Sequence, residues 1–88
     1  MGTTIGAILI SYDINKQHTY VKDAMIILGY STNWNYTSKP TYYLPNTTLW
    51  HSNKSSNQAM SDLKNICIRL GVSLEKAVAV NATEFVGF

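Results

Sequence analysis

The hydrophobic positions of the chain change period along its length. Ile5-Gly6-Ala7-Ile8-Leu9-Ile10-Ser11-Tyr12 is an apolar run, β-branched in part, that stops abruptly at Asp13. Its length and the turn-forming Asn15 that follows predict a strand. Apolar residues at nearly every position predict one that is central in its sheet or covered on both faces. From His18 the period turns helical: Val21, Ala24, Met25 and Leu28 recur at i, i+3, i+4 and i+7, while Lys22 and Asp23 fall on the other side. Gly29 stands where a left-handed C-cap belongs, so His18–Leu28 is read as a helix of about three turns.

Tyr30 to Ser52 carries mixed signals. Trp34-Asn35-Tyr36 can open a strand, and Thr47-Thr48-Leu49-Trp50-His51 is a better one because Thr and Trp favour extended backbone. Pro40 and Pro45 deny a regular central strand across the whole segment. The segment therefore reads as two strands joined by an elaborated hairpin, with Tyr42-Tyr43-Leu44 either a short third piece or part of the loop. Ser55-Ser56-Asn57-Gln58 then reads as a capping box, with Ser55 as N-cap and Gln58 reaching back to its N–H. Ala59, Met60, Leu63, Ile66, Cys67 and Leu70 follow as an apolar stripe at helical spacing, closed by Gly71. Val72 to Val80 returns to extended character, with Leu74, Val78 and Val80 expected on one face and alanines between. The tail Thr83–Phe88 is apolar for a terminus, so Phe85 and Phe88 are expected to pack on something.

The order strand, helix, strand, strand, helix, strand predicts an α+β, ferredoxin-like βαββαβ domain over residues 1–88. Both helices would lie on one face of an antiparallel sheet. Trp34, Tyr36, Leu49 and Trp50 are candidates for the other, uncovered face. An exposed apolar sheet face in so short a chain calls for a partner, most simply a second copy.

Composition narrows the function. A chain of 88 residues buries only about 60% of its unfolded surface. Cys67 is the single cysteine, so neither a disulfide nor a four-cysteine metal site can supplement the core. Self-association is the expected aid, with a homodimer foremost. The net charge of +2 is spread over Lys16, Lys22, Lys39, Lys54, Lys64, Arg69 and Lys76. That scatter speaks against a long duplex footprint and leaves room for a nucleotide or a short single strand. The apolar runs fall far short of the ~20 residues a bilayer demands, so no membrane partner is expected. The start of the chain lacks the basic region of a secretory signal, and the expected location is cytoplasmic with a reduced thiol. The Asn-x-Ser/Thr triplets at Asn35, Asn46, Asn53 and Asn81 are accordingly read as incidental.

A first strand ending Ser11-Tyr12-Asp13-Ile14-Asn15 resembles that of three related groups. These are the small ferredoxin-like CRISPR-adaptation dimers (the second Cas protein), the virulence-associated protein D ribonucleases and the SinR-like proteins. The last group is also similar in Trp34 to Tyr36, Thr47 to Trp50, the Ser55-led helix and Gly87-Phe88. The resemblance implies a dimer in which Asp13 approaches its symmetry mate and holds a divalent metal, Mg²⁺ being the natural choice. Two facing carboxylates repel unless a cation or proton neutralises them, and a metal there can activate water against a phosphodiester. Two departures stand out: residues 37–46 look like an insertion, and the basic stretches that hold DNA in the CRISPR relatives are missing.

The candidate site follows from these residues. Asp13 is the candidate metal ligand and catalytic group, although an aspartate after a strand is also a common turn residue. His51, beside Trp50, is the candidate general base or phosphate contact. Lys16 and Lys54 precede the two helices, whose N-termini offer N–H donors to a phosphate. Tyr12 and Trp50 complete the candidate substrate contacts, with Trp50 able to stack a base, as Trp34, Tyr36, Tyr42 and Tyr43 also can. His18 is read as helping to start its helix, and Cys67 as core. No Ser-His-Asp ordering, Gly-rich phosphate loop or His-Glu-x-x-His motif occurs. Two functions remain: a metal-dependent phosphodiesterase or ribonuclease built on Asp13, and a binding or interaction module without chemistry, such as a phage-type accessory or host-defence modulator.

Overall fold

A computed structural model describes residues 2–34, 42–43 and 47–82, with Trp34, Tyr42 and Tyr43 described by backbone alone. The elements in chain order are β1 (Gly6–Ile14), α1 (His18–Ile27), β2 (Asn33–Trp34), β3 (Tyr42–Tyr43), β4 (Thr48–Lys54), α2 (Ser56–Leu70) and β5 (Leu74–Asn81). β1 is the middle strand of an antiparallel sheet of order β4-β1-β5. Beyond β4, a bridge between Ser31 and Trp50, hydrogen-bonded in both directions at 2.8 and 3.1 Å, attaches the chain leaving α1. The next residues form β2, which pairs with β3 as a two-residue ribbon. The fold is the expected α+β ferredoxin-like βαββαβ arrangement, with β3 added inside the segment read as a hairpin. Tyr36, the 37–41 and 44–46 parts of the insertion, and the tail from Thr83 lie outside the described residues.

Period-two alternation decides how β1 is used. Ile8, Ile10, Tyr12 and Ile14 are buried beneath the helices, while Ala7, Leu9 and Ser11 are half-buried and Asp13 exposed on the opposite face. The expectation of a central strand holds, and its second face is the partly open one. Asp13 lies within the strand rather than in a turn after it.

Both helices end as their glycines require. Gly29 (φ 97°) follows α1, with the N–H groups of Gly29 and Tyr30 donating to Ile26 and Met25 carbonyls. Gly71 (φ 67°) follows α2, with Gly71 and Val72 donating to Ile68 and Cys67. Each is a Schellman closure, which needs a residue free to adopt the left-handed region. α2 starts on the capping box expected from Ser55 and Gln58, at 3.1 and 2.9 Å. Its Ala59, Leu63, Ile66 and Cys67 join Ile8, Ile10, Val21, Met25 and Leu49 in one core. Each large side chain sealed there contributes about 1.5–3 kcal/mol.

Two face assignments differ from expectation. Leu49 is fully buried under the helices, because it lies opposite Ile10 in the ladder and so shares its face. In β5, Ala77 and Ala79 oppose Tyr12 and Ile10 and pack on the core, leaving Val78 and Val80 exposed at 56% and 47%. A register shift between Asp13 and Ile14 puts Leu74 with the alanines instead of with the valines. No described helix is long and apolar enough to cross a membrane.

Replacing Leu63, fully buried, by Ala is expected to lower stability by 2–5 kcal/mol, roughly. Ser55→Ala, which deletes one arm of the capping box, is expected to cost about 1 kcal/mol. Urea denaturation followed by far-UV circular dichroism measures both; equal losses for the two variants would contradict this division between core and cap.

Candidate functional site

The open sheet face is a grid of three rows set by the ladder. Trp50, Leu9 and Val80 form one row, Thr48, Ser11 and Val78 the next, and Asp13 with Lys76 the last. Apolar area thus grades into polar groups toward the C-terminal end of β1. Ser11 Oγ and Thr48 Oγ1 hydrogen-bond at 2.7 Å. A shallow hollow of about 270 Å³ lies at the polar end, lined by Ser11, Tyr12, Asp13, Thr47, Lys76, Ala77 and Val78. Facing residues of an antiparallel pair hold their Cβ atoms ~5 Å apart, so the Asp13 carboxylate and Lys76 ammonium occupy the same end of that hollow.

A second, smaller hollow of about 120 Å³ lies on the helix side, lined by Tyr12, His18, Thr19, Lys22 and Thr47. Tyr12 and Thr47 belong to both. Burial pushes the Tyr12 phenol pKa up, and the nearby Cys67 thiol adds to the effect.

A separate polar cluster sits where β4 meets the helices. The Tyr30 hydroxyl donates to Asp62 Oδ2 at 2.8 Å, and Lys54 Nζ approaches the same oxygen at 2.6 Å. Lys54 Nζ lies 5.7 Å from the Tyr30 ring centroid, and the His51 ring meets Tyr30 edge-on with centroids 5.0 Å apart. His51 Nδ1 accepts from the Asn53 N–H at 3.0 Å. Gly29 admits His51, since a Cβ there would stand 2.8 Å from His51 Nε2. Tyr30 is 3% exposed, and desolvation, reinforced by Asp62, raises its phenol pKa well beyond the usual tyrosine range.

The sequence candidates divide between these places. Tyr12, Asp13 and Lys16 lie at the C-terminal end of β1 or in the loop after it; Trp50, His51 and Lys54 lie along β4. Asp13 and His51 are on opposite faces of the sheet, and His51 pairs with Ile8, five residues away along β1. They do not meet within one protomer. Lys16 and Lys54 fall beyond opposite ends of β1, since Lys54 pairs with Gly6, and roughly 27 Å of strand separates those ends. They cannot grip one phosphate together, and Lys54 is already engaged with Asp62. Trp50 is half-buried on the open face with its indole N–H donating to the Asn33 carbonyl. His18 is exposed in the first turn of α1, and Cys67 is buried in the core as expected.

Among the described residues no three His, Cys, Asp or Glu side chains converge on one point. For Mg²⁺, one protomer offers the hard, exposed oxygens of Asp13, with no cluster of three ligating side chains around it among the described residues. That suits half of a centre, since Mg²⁺ takes one or two carboxylates together with water and phosphate oxygens, and a second copy would bring the other.

Three participants were not legible as site residues: Lys76, Tyr30 and Asp62. The Asp13–Lys76 pairing depends on the β1–β5 register, which no local pattern specifies. Asp62 looks like a surface acid in sequence; its place one residue before the buried Leu63 is the only hint that it borders the core. Compared with protein-family models, curated proteins and solved structures, the chain matches none.

The two raised phenols make a direct prediction. Each is favoured protonated in the folded chain, so the stability it contributes is complete below about pH 10 and is lost as pH rises beyond that. Absorbance at 295 nm should show Tyr12 and Tyr30 ionising only above the usual tyrosine range, in step with alkaline unfolding. Tyr30→Phe should remove one late phenolate; loss of an early one instead would contradict the burial of this hydroxyl.

Proposed function

We propose that the protein is a homo-oligomer that binds a nucleotide or a short single-stranded nucleic acid on its open sheet face. The observation that carries this reading is the hollow at Asp13 and Lys76, continuous with the apolar rows of Val78, Leu9, Val80 and Trp50. Lys76 supplies a point charge for a phosphate. Asp13 is an acceptor for sugar hydroxyls, and the half-buried Trp50 offers a face on which a base can stack. The modest positive charge fits a ligand with few phosphates. The exposed Val78 and Val80 favour a second copy nearby, and the lone buried thiol of Cys67 suits a cytoplasmic setting.

A second reading is a Mg²⁺-dependent phosphodiesterase or ribonuclease in which Asp13 from two protomers shares the metal. It is favoured by the exposure of Asp13 on the face left open for another copy. His51, turned to the opposite face, is not its general base within the same protomer. In that reading, the metal would polarise the phosphodiester and activate water.

Fluorescence anisotropy with a labelled six-nucleotide RNA tests the first reading. Lys76→Gln is expected to weaken binding about tenfold, equivalent to ~1.4 kcal/mol. One or two neutralised phosphates predict a slope of log affinity on log salt of about −0.7 to −1.4. A steep slope, or indifference to Lys76→Gln, would count against this site. Incubating the same RNA with Mg²⁺ or Mn²⁺ separates the readings. Cleavage by the wild type that Asp13→Asn abolishes establishes the catalytic one, provided light scattering shows a dimer; binding without cleavage leaves the module.

A further inference from the structure

The helix-side hollow has a composition different from that of the Asp13 hollow. Among the described residues its lining, Tyr12, His18, Thr19, Lys22 and Thr47, includes no carboxylate. It opens at the N-terminus of the ten-residue α1, whose first-turn N–H groups have no side-chain cap. The N-cap residue Gln17 sends its amide elsewhere, donating to the Leu70 carbonyl at 3.1 Å. α1 carries no acidic residue in its first turn, so no side chain of that turn offsets the partial positive charge of the helix end.

Tyr12 forms the inner wall of this hollow. It is 4% exposed, and among the described residues its hydroxyl has no hydrogen-bond partner. No polar side-chain atom among the described residues is both sealed from solvent and unpartnered, so this hydroxyl opens onto free space. Tyr12 projects to the helix side of β1, the side on which His18, Thr19 and Lys22 stand. A buried phenol with an open hydroxyl, on the side of the helix N–H groups, a threonine hydroxyl and an imidazole, is a donor set for a tetrahedral oxyanion. At about 120 Å³ the hollow is less than half the size of its neighbour, too small for a nucleoside and suited to a phosphate.

We infer that the N-terminus of α1, with Tyr12, His18 and Thr19, is a phosphate-binding subsite that takes the terminal phosphate monoester of a nucleotide. It deepens the nucleotide-binding reading above and rests on it for the identity of the ligand. Tyr12 and Thr47, joined by the Tyr12 N–H bond to the Thr47 carbonyl, line both hollows, so the two adjoin across the C-terminal end of β1. A ligand that passes round that end would place its sugar and base on the sheet face and its terminal phosphate at α1.

The test is ¹H–¹⁵N correlation spectroscopy of the full chain titrated separately with inorganic phosphate and with uridine 5′-monophosphate. Inorganic phosphate is expected to shift the His18, Thr19 and Tyr20 amides. Tyr12→Phe, which keeps the buried ring, and His18→Gln, an exposed change, should each weaken it about fivefold to tenfold. The undisturbed spectrum of His18→Gln guards against a folding defect in the other variant. Phosphate that moves nothing at α1, or that binds both variants as well as wild type, overturns the inference. If the nucleotide shifts only Asp13, Lys76 and Val78, the subsite fails and the nucleotide reading stands. If phosphate shifts α1 while the nucleotide adds nothing on the sheet face, the subsite stands and the nucleotide reading falls.

Discussion

The structure depends on the alternation of one strand. β1 holds a neighbour on each edge, and its even-numbered residues Ile8, Ile10, Tyr12 and Ile14 form the floor on which both helices pack. Its odd-numbered residues are thereby committed to the other face, where Leu9, Ser11 and Asp13 run from apolar to charged. A one-residue slip would exchange the two sets, exposing three isoleucines and burying a carboxylate, so the register is strongly specified. The same constraint that builds the core therefore presents Asp13.

The polar cluster at Tyr30 shows how basic residues can be taken up by architecture. Lys54 and His51 both surround the buried Tyr30, one through Asp62 and over the ring, the other by edge contact. An ion pair with its two side chains 22% exposed is only partly screened, and the shared Asp62 oxygen ties β4, α2 and the end of α1 at one point. These side chains close the far end of the sheet. The groups left with open chemistry lie at the other end of β1: Asp13 and Lys76 on one side, Tyr12 and the α1 N-terminus on the other.

Much of the fold was legible from residues alone. The α2 stripe, its Ser55–Gln58 box and the Gly29 and Gly71 closures are local matters, since helix ends and helix faces are dictated by residues within one or two turns. β1 was legible as a central strand from its unbroken apolar run. Legibility failed in β5, where valines looked like core and alanines like filler. The helix layer packs on the alanines because Ala77 and Ala79 stand opposite Tyr12 and Ile10. It failed for Leu49 for the same reason, its face being inherited from a partner 39 residues away in sequence.

What the sequence by itself determined is the order and type of the elements and the presence of a single acid at the end of β1. Periodicity, caps and turn residues encode these within short windows. What only the tertiary structure decided is which side chains share a face and an end. It set Asp13 against Lys76, turned His51 away to Tyr30, separated Lys16 from Lys54 by the length of a strand and put Tyr12 on the helix side of the sheet. Such pairings come from strand register and from the opposed directions of β1 and β4, and those are settled by burial over the whole core rather than by any local run of residues.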